Sequence, residues 1–156
     1  MSPDTPAVLF VCLGNICRSP LVEAAFRREA ERAELAVIID SAGTGRHEQG
    51  SPPDRRAQAT ARSAGLDISH QRARQIEPAD FARFSHILAM DSQNLADIRA
   101  IMPPDSRAEV SLLLDHVPGR QGASIADPDY DGEENFEATW EDATAAAKAL
   151  VRELAP

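Results

Sequence analysis

Residues 11–20 read VCLGNICRSP and follow the apolar run Ala7-Val8-Leu9-Phe10-Val11. That run predicts a buried strand ending near Cys12, and the pattern from about Pro20 to Leu35 predicts a helix. Working outward, further β-type runs at Ala36–Ile39, Ser85–Met90 and Glu109–Leu114 alternate with helical patterns at about Asp54–Ala64, Ser92–Ile101 and Glu134–Leu154. Strands alternating with helices predict an α/β fold with a parallel sheet and right-handed crossovers. The last helix is the clearest, because Phe136, Trp140, Ala143, Ala147 and Leu150 recur at the spacing of one buried face. Gly65 is placed to stop the second helix.

A chain of 156 residues fits one domain, taken here as residues 1–156. With 25 acidic against 16 basic side chains, a nucleic-acid or anionic-membrane partner is not expected. Gln121–Ala147 holds eight acidic residues and no basic one, which reads as solvated surface, whereas Arg18–Arg83 is arginine-rich. No apolar run approaches the ~20 residues of a membrane span, and MSPDTP lacks the features of a signal peptide, so a cytoplasmic protein is expected. Cys12 and Cys17 are the only cysteines; they make no disulfide framework and no zinc pattern, which leaves a reactive thiol as the special reading.

In a parallel α/β sheet, ligands bind beyond the carboxyl ends of the strands, and Cys12 stands at such an end. From Leu13 to Ser19 the chain must curl between strand and helix. Gly14 permits unusual dihedrals there, and the amides of Leu13, Gly14, Asn15, Ile16, Cys17, Arg18 and Ser19 can converge into an anion nest. The following helix adds the positive end of its dipole, and Arg18 a planar fork of donors matched to phosphate oxygens. The same field favours thiolate over thiol at Cys12. A thiolate on the floor of a phosphate cradle is placed for in-line attack on phosphorus, with the nest carrying charge on the equatorial oxygens. No metal or cofactor is needed, because Arg18 and the backbone dipoles supply the positive field.

CLGNICRS resembles the Cys-x5-Arg-Ser loop of the low-molecular-weight protein tyrosine phosphatases. SAGTG at 41–45, PPD at 52–54, ARQI at 73–76, MD with Asn94 at 90–94 and DP at 127–128 follow in that family's order. The resemblance implies a three-layer fold with a four-stranded parallel sheet flanked by helices. It further implies a phosphocysteine mechanism acting on phosphotyrosine proteins, tyrosine kinases among them. A leaving oxygen needs a proton, and no acid lies in the loop itself. Asp127, Asp129 and Asp131 are all candidates from a long loop, and the family pattern selects Asp127, ahead of Pro128, as general acid and then base.

Ser19 is placed either to donate to the Cys12 thiolate or as an N-cap serine. By the same resemblance, Asn15 and Ser41 support the loop through side-chain hydrogen bonds. His47, Asp129 and Tyr130 form the substrate wall, which is less aromatic than the family pattern and implies weaker aryl binding. Gln71 occupies a slot where the family carries histidine, with His70 one place early. Asp54 and Asp91 read as helix caps. His86 and His116 receive no function. Cys17 is a buried residue or a redox partner for Cys12.

Three other readings keep the loop. Arginine phosphatases of the same family tend to place threonine at the position of Ile16, so isoleucine implies tyrosine. A thioredoxin-linked arsenate reductase needs further cysteines. A non-catalytic phosphate-binding module needs neither Cys12 nor Asp127.

Overall fold

The computed structural model describes residues 5–126 and 133–156. Its order is β1 (Ala7–Cys12), α1 (Arg18–Arg32), β2 (Ile38–Gly43), α2 (Arg55–Ser63), α3 (Asp80–Arg83), β3 (His86–Ala89), α4 (Ser92–Ile101), β4 (Glu109–Leu112), a 3-10 turn (Leu113–His116) and α5 (Glu133–Leu154).

The four strands pair in parallel in the order β2-β1-β3-β4. Because the chain leaves β1 toward β2 on one side and later adds β3 on the other, the carboxyl ends of β1 and β3 flank a topological switch point. Ligands of open α/β sheets bind at such points. Every residue of β1 is buried, as a central strand covered on both faces requires.

Strand alternation divides the core. Val8, Phe10 and Cys12 face α1 and α5, where they meet Phe26, Ala143, Ala147 and Leu150. Ala7, Leu9 and Val11 face the other way, toward Phe81, Phe84 and Ile98. A third cluster, Leu21, Ala57, Ala61, Ile68 and Phe136, joins α1, α2 and α5. The expected buried face of α5 is found, with Trp140 at its edge.

Several boundaries differ from expectation. β2 runs Ile38–Gly43 instead of Ala36–Ile39, since Asp40 and Ser41 pair with Leu9 and Phe10 although polar. β4 stops at Leu112, and the buried Leu113 and Leu114 belong to the 3-10 turn. α1 starts at Arg18, so Pro20 is its third residue, a position whose N–H has no intrahelical partner. α3 is a single turn, too short to show helical periodicity in sequence. Gly65 follows the C-cap of α2 with φ +82°, the left-handed position expected of it. Among the described residues, no helix is long and apolar enough to cross a membrane.

Candidate active site at the end of the first strand

Cys12 is the last residue of β1 and is buried. Its carbonyl accepts the Thr44 N–H at 2.9 Å, and that of Leu13 accepts the Gly45 N–H at 3.0 Å, so the loop leaves the sheet tied to the segment after β2. A Cβ on Gly43 would lie 2.6 Å from the Leu13 carbonyl oxygen; only glycine allows this approach. The residue that turns the loop is Asn15, with φ +58°, and not Gly14 as expected from its permissive backbone. Asparagine tolerates the left-handed region because its short amide can bond locally.

That amide organises the site. The Asn15 backbone N–H donates to Cys12 Sγ at 3.3 Å. Asn15 Nδ2 donates to Ser19 Oγ at 2.8 Å and to Ser41 Oγ at 3.0 Å, while Oδ1 accepts the Arg74 N–H at 3.1 Å. Ser19 Oγ lies 3.1 Å from Cys12 Sγ. With its oxygen accepting from Asn15, the Ser19 hydroxyl proton is available to the sulfur. Ser41 Oγ donates to Oε1 of the buried Glu23 at 2.7 Å, and Glu23 Oε2 accepts from Arg27 Nε at 2.9 Å.

Ser19 is the second residue of α1 and so not its N-cap. That position belongs to Cys17, whose side chain makes no capping hydrogen bond, and the first turn carries no acidic residue. The positive end of the α1 dipole therefore points into the loop without an acidic side chain of its own first turn against it. Arg18 is buried, and its Nη1 donates to Asp91 Oδ2 at 2.7 Å and to the Ile125 carbonyl at 2.9 Å. Asp91, expected only as a cap, uses Oδ1 for the Asn94 N–H at 2.7 Å and Oδ2 for Arg18, so one carboxylate starts α4 and aims the guanidinium across the switch point. Nothing in the sequence near residue 91 separates these two roles.

The other expected residues fall as follows. Leu13 is 52% exposed at the loop rim, and Ile16 is half-buried with its carbonyl accepting the Asp54 N–H at 2.8 Å. Gly45 and Glu48 lie beside the loop, within van der Waals reach of Leu13 and Gly14, so the exposed His47 is carried past the same rim. Gln71 Nε2 reaches the Pro20 carbonyl at 3.4 Å, and His70 is exposed. Cys17 is buried among Leu21, Ala57 and Ile68, and neither cysteine is in a disulfide. Asp127, Pro128, Asp129, Tyr130 and Asp131 lie outside the described residues.

Sequence reasoning missed the roles of Glu23, Arg27 and Arg74. Charged residues on a helix or after a loop read as surface, and only the fold shows that Glu23 is buried and that Arg27 and Arg74 pair with the buried carboxylates of Glu23 and Asp80. Asp54 does cap α2, accepting the Arg56 N–H at 2.8 Å, and the Arg56 side-chain hydrogen bond holds its carboxyl below the usual range against the opposing effect of burial.

The family profile described as low molecular weight phosphotyrosine protein phosphatase matches residues 7–156. Proteins of that name from Gallus gallus and Schizosaccharomyces pombe are similar to this chain. The first is 41% identical, covering 95% of each chain, and the second 43% identical, covering 83% of this chain and 84% of its own. A solved protein tyrosine phosphatase from Entamoeba histolytica, with Hepes in its active site, superposes with a TM-score of 0.90 at 30% identity, covering 96% of this chain and 97% of that one.

Proposed function

The chain belongs to the low molecular weight phosphotyrosine protein phosphatase family, and we propose that residues 1–156 form one catalytic domain that hydrolyses phosphotyrosine in proteins through a phosphocysteine on Cys12. The observation that carries this reading is the position of Cys12 Sγ, between the Asn15 N–H at 3.3 Å and the Ser19 hydroxyl at 3.1 Å, at the head of a helix whose first residue is the buried Arg18.

In the first step the Cys12 thiolate attacks phosphorus, the bond from phosphorus to the tyrosine oxygen breaks, and that oxygen takes a proton from Asp127. Arg18 and the amides of residues 13–19 hold the three equatorial oxygens and stabilise their charge. In the second step water attacks phosphorus, its proton returns to Asp127, and the sulfur–phosphorus bond breaks to give phosphate and thiolate. A hydrogen bond from Ser19 eases departure of the sulfur.

His47, Asp129 and Tyr130 form the wall around the substrate ring in this reading. Cys17 is the thiol placed to trap an oxidised Cys12 as a disulfide. The protein acts in the cytoplasm, and its partners are phosphotyrosine proteins, a tyrosine kinase among them. Cys12→Ser should abolish hydrolysis of an aryl phosphate, and Asp127→Ala should slow it by about 10²–10⁴-fold. Phosphotyrosine, phosphoserine and phosphoarginine peptides offered side by side check the substrate class; faster turnover of phosphoarginine overturns it.

A further inference from the structure

We propose that Arg74, gripped by Asp80 and Asp40, is a positioning residue for the catalytic thiol: it sets which way the Asn15 amide faces and thereby directs the Ser19 hydroxyl to Cys12. This rests on the reading of Cys12 as nucleophile.

The amide of Asn15 has chemically opposite ends 2.8 Å and 3.1 Å from their partners, with Nδ2 on Ser19 Oγ and Oδ1 on the Arg74 N–H. In that orientation Asn15 donates to Ser19, whose single proton goes to the sulfur 3.1 Å away. Turned over, Asn15 would present Oδ1 to Ser19 and accept the hydroxyl hydrogen bond, leaving the sulfur only the Asn15 backbone N–H at 3.3 Å. The Arg74 N–H is the donor that holds Oδ1 in place, so the site depends on where the Arg74 backbone sits.

The backbone is held from both sides. The Arg74 carbonyl accepts the Gly43 N–H at 2.8 Å, at the end of β2. Its guanidinium makes a fork on Asp80, Nη1 to Oδ2 and Nη2 to Oδ1, both 3.0 Å. Nε and Nη2 also donate to Asp40 Oδ2 at 3.2 Å and 3.1 Å. Asp80 is fully buried at the first position of α3 and accepts the Glu77 N–H at 2.9 Å with the same oxygen that meets Nη1. A buried carboxylate without its cation is strongly unfavourable, so this pair cannot slide without cost. Burial pulls the Arg74 guanidinium down, but the hydrogen bonds and charges of Asp80 and Asp40 outweigh it and hold the guanidinium above its usual range. Asp40 Oδ1 accepts the Ser41 N–H at 2.8 Å, and Ser41 Oγ is the second acceptor of the Asn15 amide. Both ends of the Asn15 side chain are thus referred to one guanidinium.

The test is a cycle of Asp80→Asn and Asn15→Gly, glycine keeping the left-handed backbone. It reads the pH profile of Cys12 alkylation by iodoacetate together with aryl phosphate kinetics. Asp80→Asn is expected to move the alkylation midpoint up by about one pH unit and lower kcat about tenfold, with KM within about twofold. Asn15→Gly should do the same, and the double variant should be no worse than the worse single variant within about twofold. An unmoved alkylation profile in folded Asp80→Asn overturns the proposal, as do effects that multiply in the double variant. Should Asp80→Asn fail to fold, Arg74→Lys serves, because an ammonium neutralises Asp80 without spanning both carboxylates. The same upward movement is then expected, and its absence overturns the proposal. A wild-type protein that hydrolyses no aryl phosphate defeats the functional reading, whereas the alkylation cycle still tests the clamp.

Discussion

Helix α1 borders two regions built on different terms. At its head, Asn15, Ser19, Ser41 and Glu23 are buried and polar, and hydrogen bonds of 2.7–3.1 Å fix each against a particular partner. Along its body, Val22, Ala25, Phe26 and Ala30 meet Ala143, Ala146, Ala147 and Leu150 of α5 in a purely apolar seam. The seam derives its stabilisation from area and volume, which many side-chain combinations can supply. The polar head has one solution, because a donor moved from its acceptor leaves both desolvated and unpaired. On the proposed reading, stability and catalytic geometry are therefore carried by neighbouring but separable regions bordering this helix.

The strongest way to break that separation is to damage the seam and watch the head. Phe26 is fully buried and meets Phe10 edge to face at 5.5 Å, with Phe10 two residues before Cys12 on the same strand face. Phe26→Ala should cost about 3–5 kcal/mol in urea unfolding. Turnover of an aryl phosphate, measured well below the transition, should stay within about twofold of wild type. A tenfold loss of kcat in the folded variant would show that the seam sets the loop.

Gly43→Ala attacks from the other side. Its new methyl meets a backbone oxygen of the loop, that of Leu13, and not the end of a flexible side chain. The loop must shift, and kcat/KM is expected to fall about 10²-fold, equivalent to about 2.7 kcal/mol of transition-state stabilisation. Thermal unfolding should report a loss of only about 1–2 kcal/mol. A stability loss exceeding the catalytic loss would reverse the comparison.

The apolar seam was legible in the sequence and much of the polar head was not. Phe136, Ala143, Ala147 and Leu150 announce themselves by helical spacing, because burial of area needs only the right period. Cys12, Arg18 and Ser19 were legible through the loop's order of residue types. Glu23 and Arg27 sit four apart on α1, a spacing that drew no sequence reading, yet Glu23 is buried and accepts from Ser41. Asp40 and Ser41 broke the apolar pattern, so β2 was expected to end where its functional half begins. Asp91 reads as a cap and is one, but its second oxygen belongs to Arg18 from a distant part of the chain. Local pattern shows what a segment does for itself; pairings across the switch point exist only once the sheet has assembled.

The smallest effect sharpens the comparison at its border, where α2 begins beside the loop. Asp54 caps α2 and pairs with Arg56, Nε to Oδ1 3.0 Å, while its own N–H donates to the loop carbonyl of Ile16 at 2.8 Å. Asp54→Asn keeps a capping acceptor and removes the charge, so it should cost under about 1 kcal/mol at neutral pH. The folded carboxyl lies below its unfolded value, so its contribution is complete above about pH 4 and is lost as pH falls through the lower folded value. Unfolding curves of wild type and Asp54→Asn should therefore converge in acid. Because the Ile16 contact is made by backbone, which asparagine preserves, aryl phosphate turnover should not change with this substitution. A drop in kcat without a matching loss of stability would mean that the Asp54 charge acts on the loop itself, and that the polar head extends into α2.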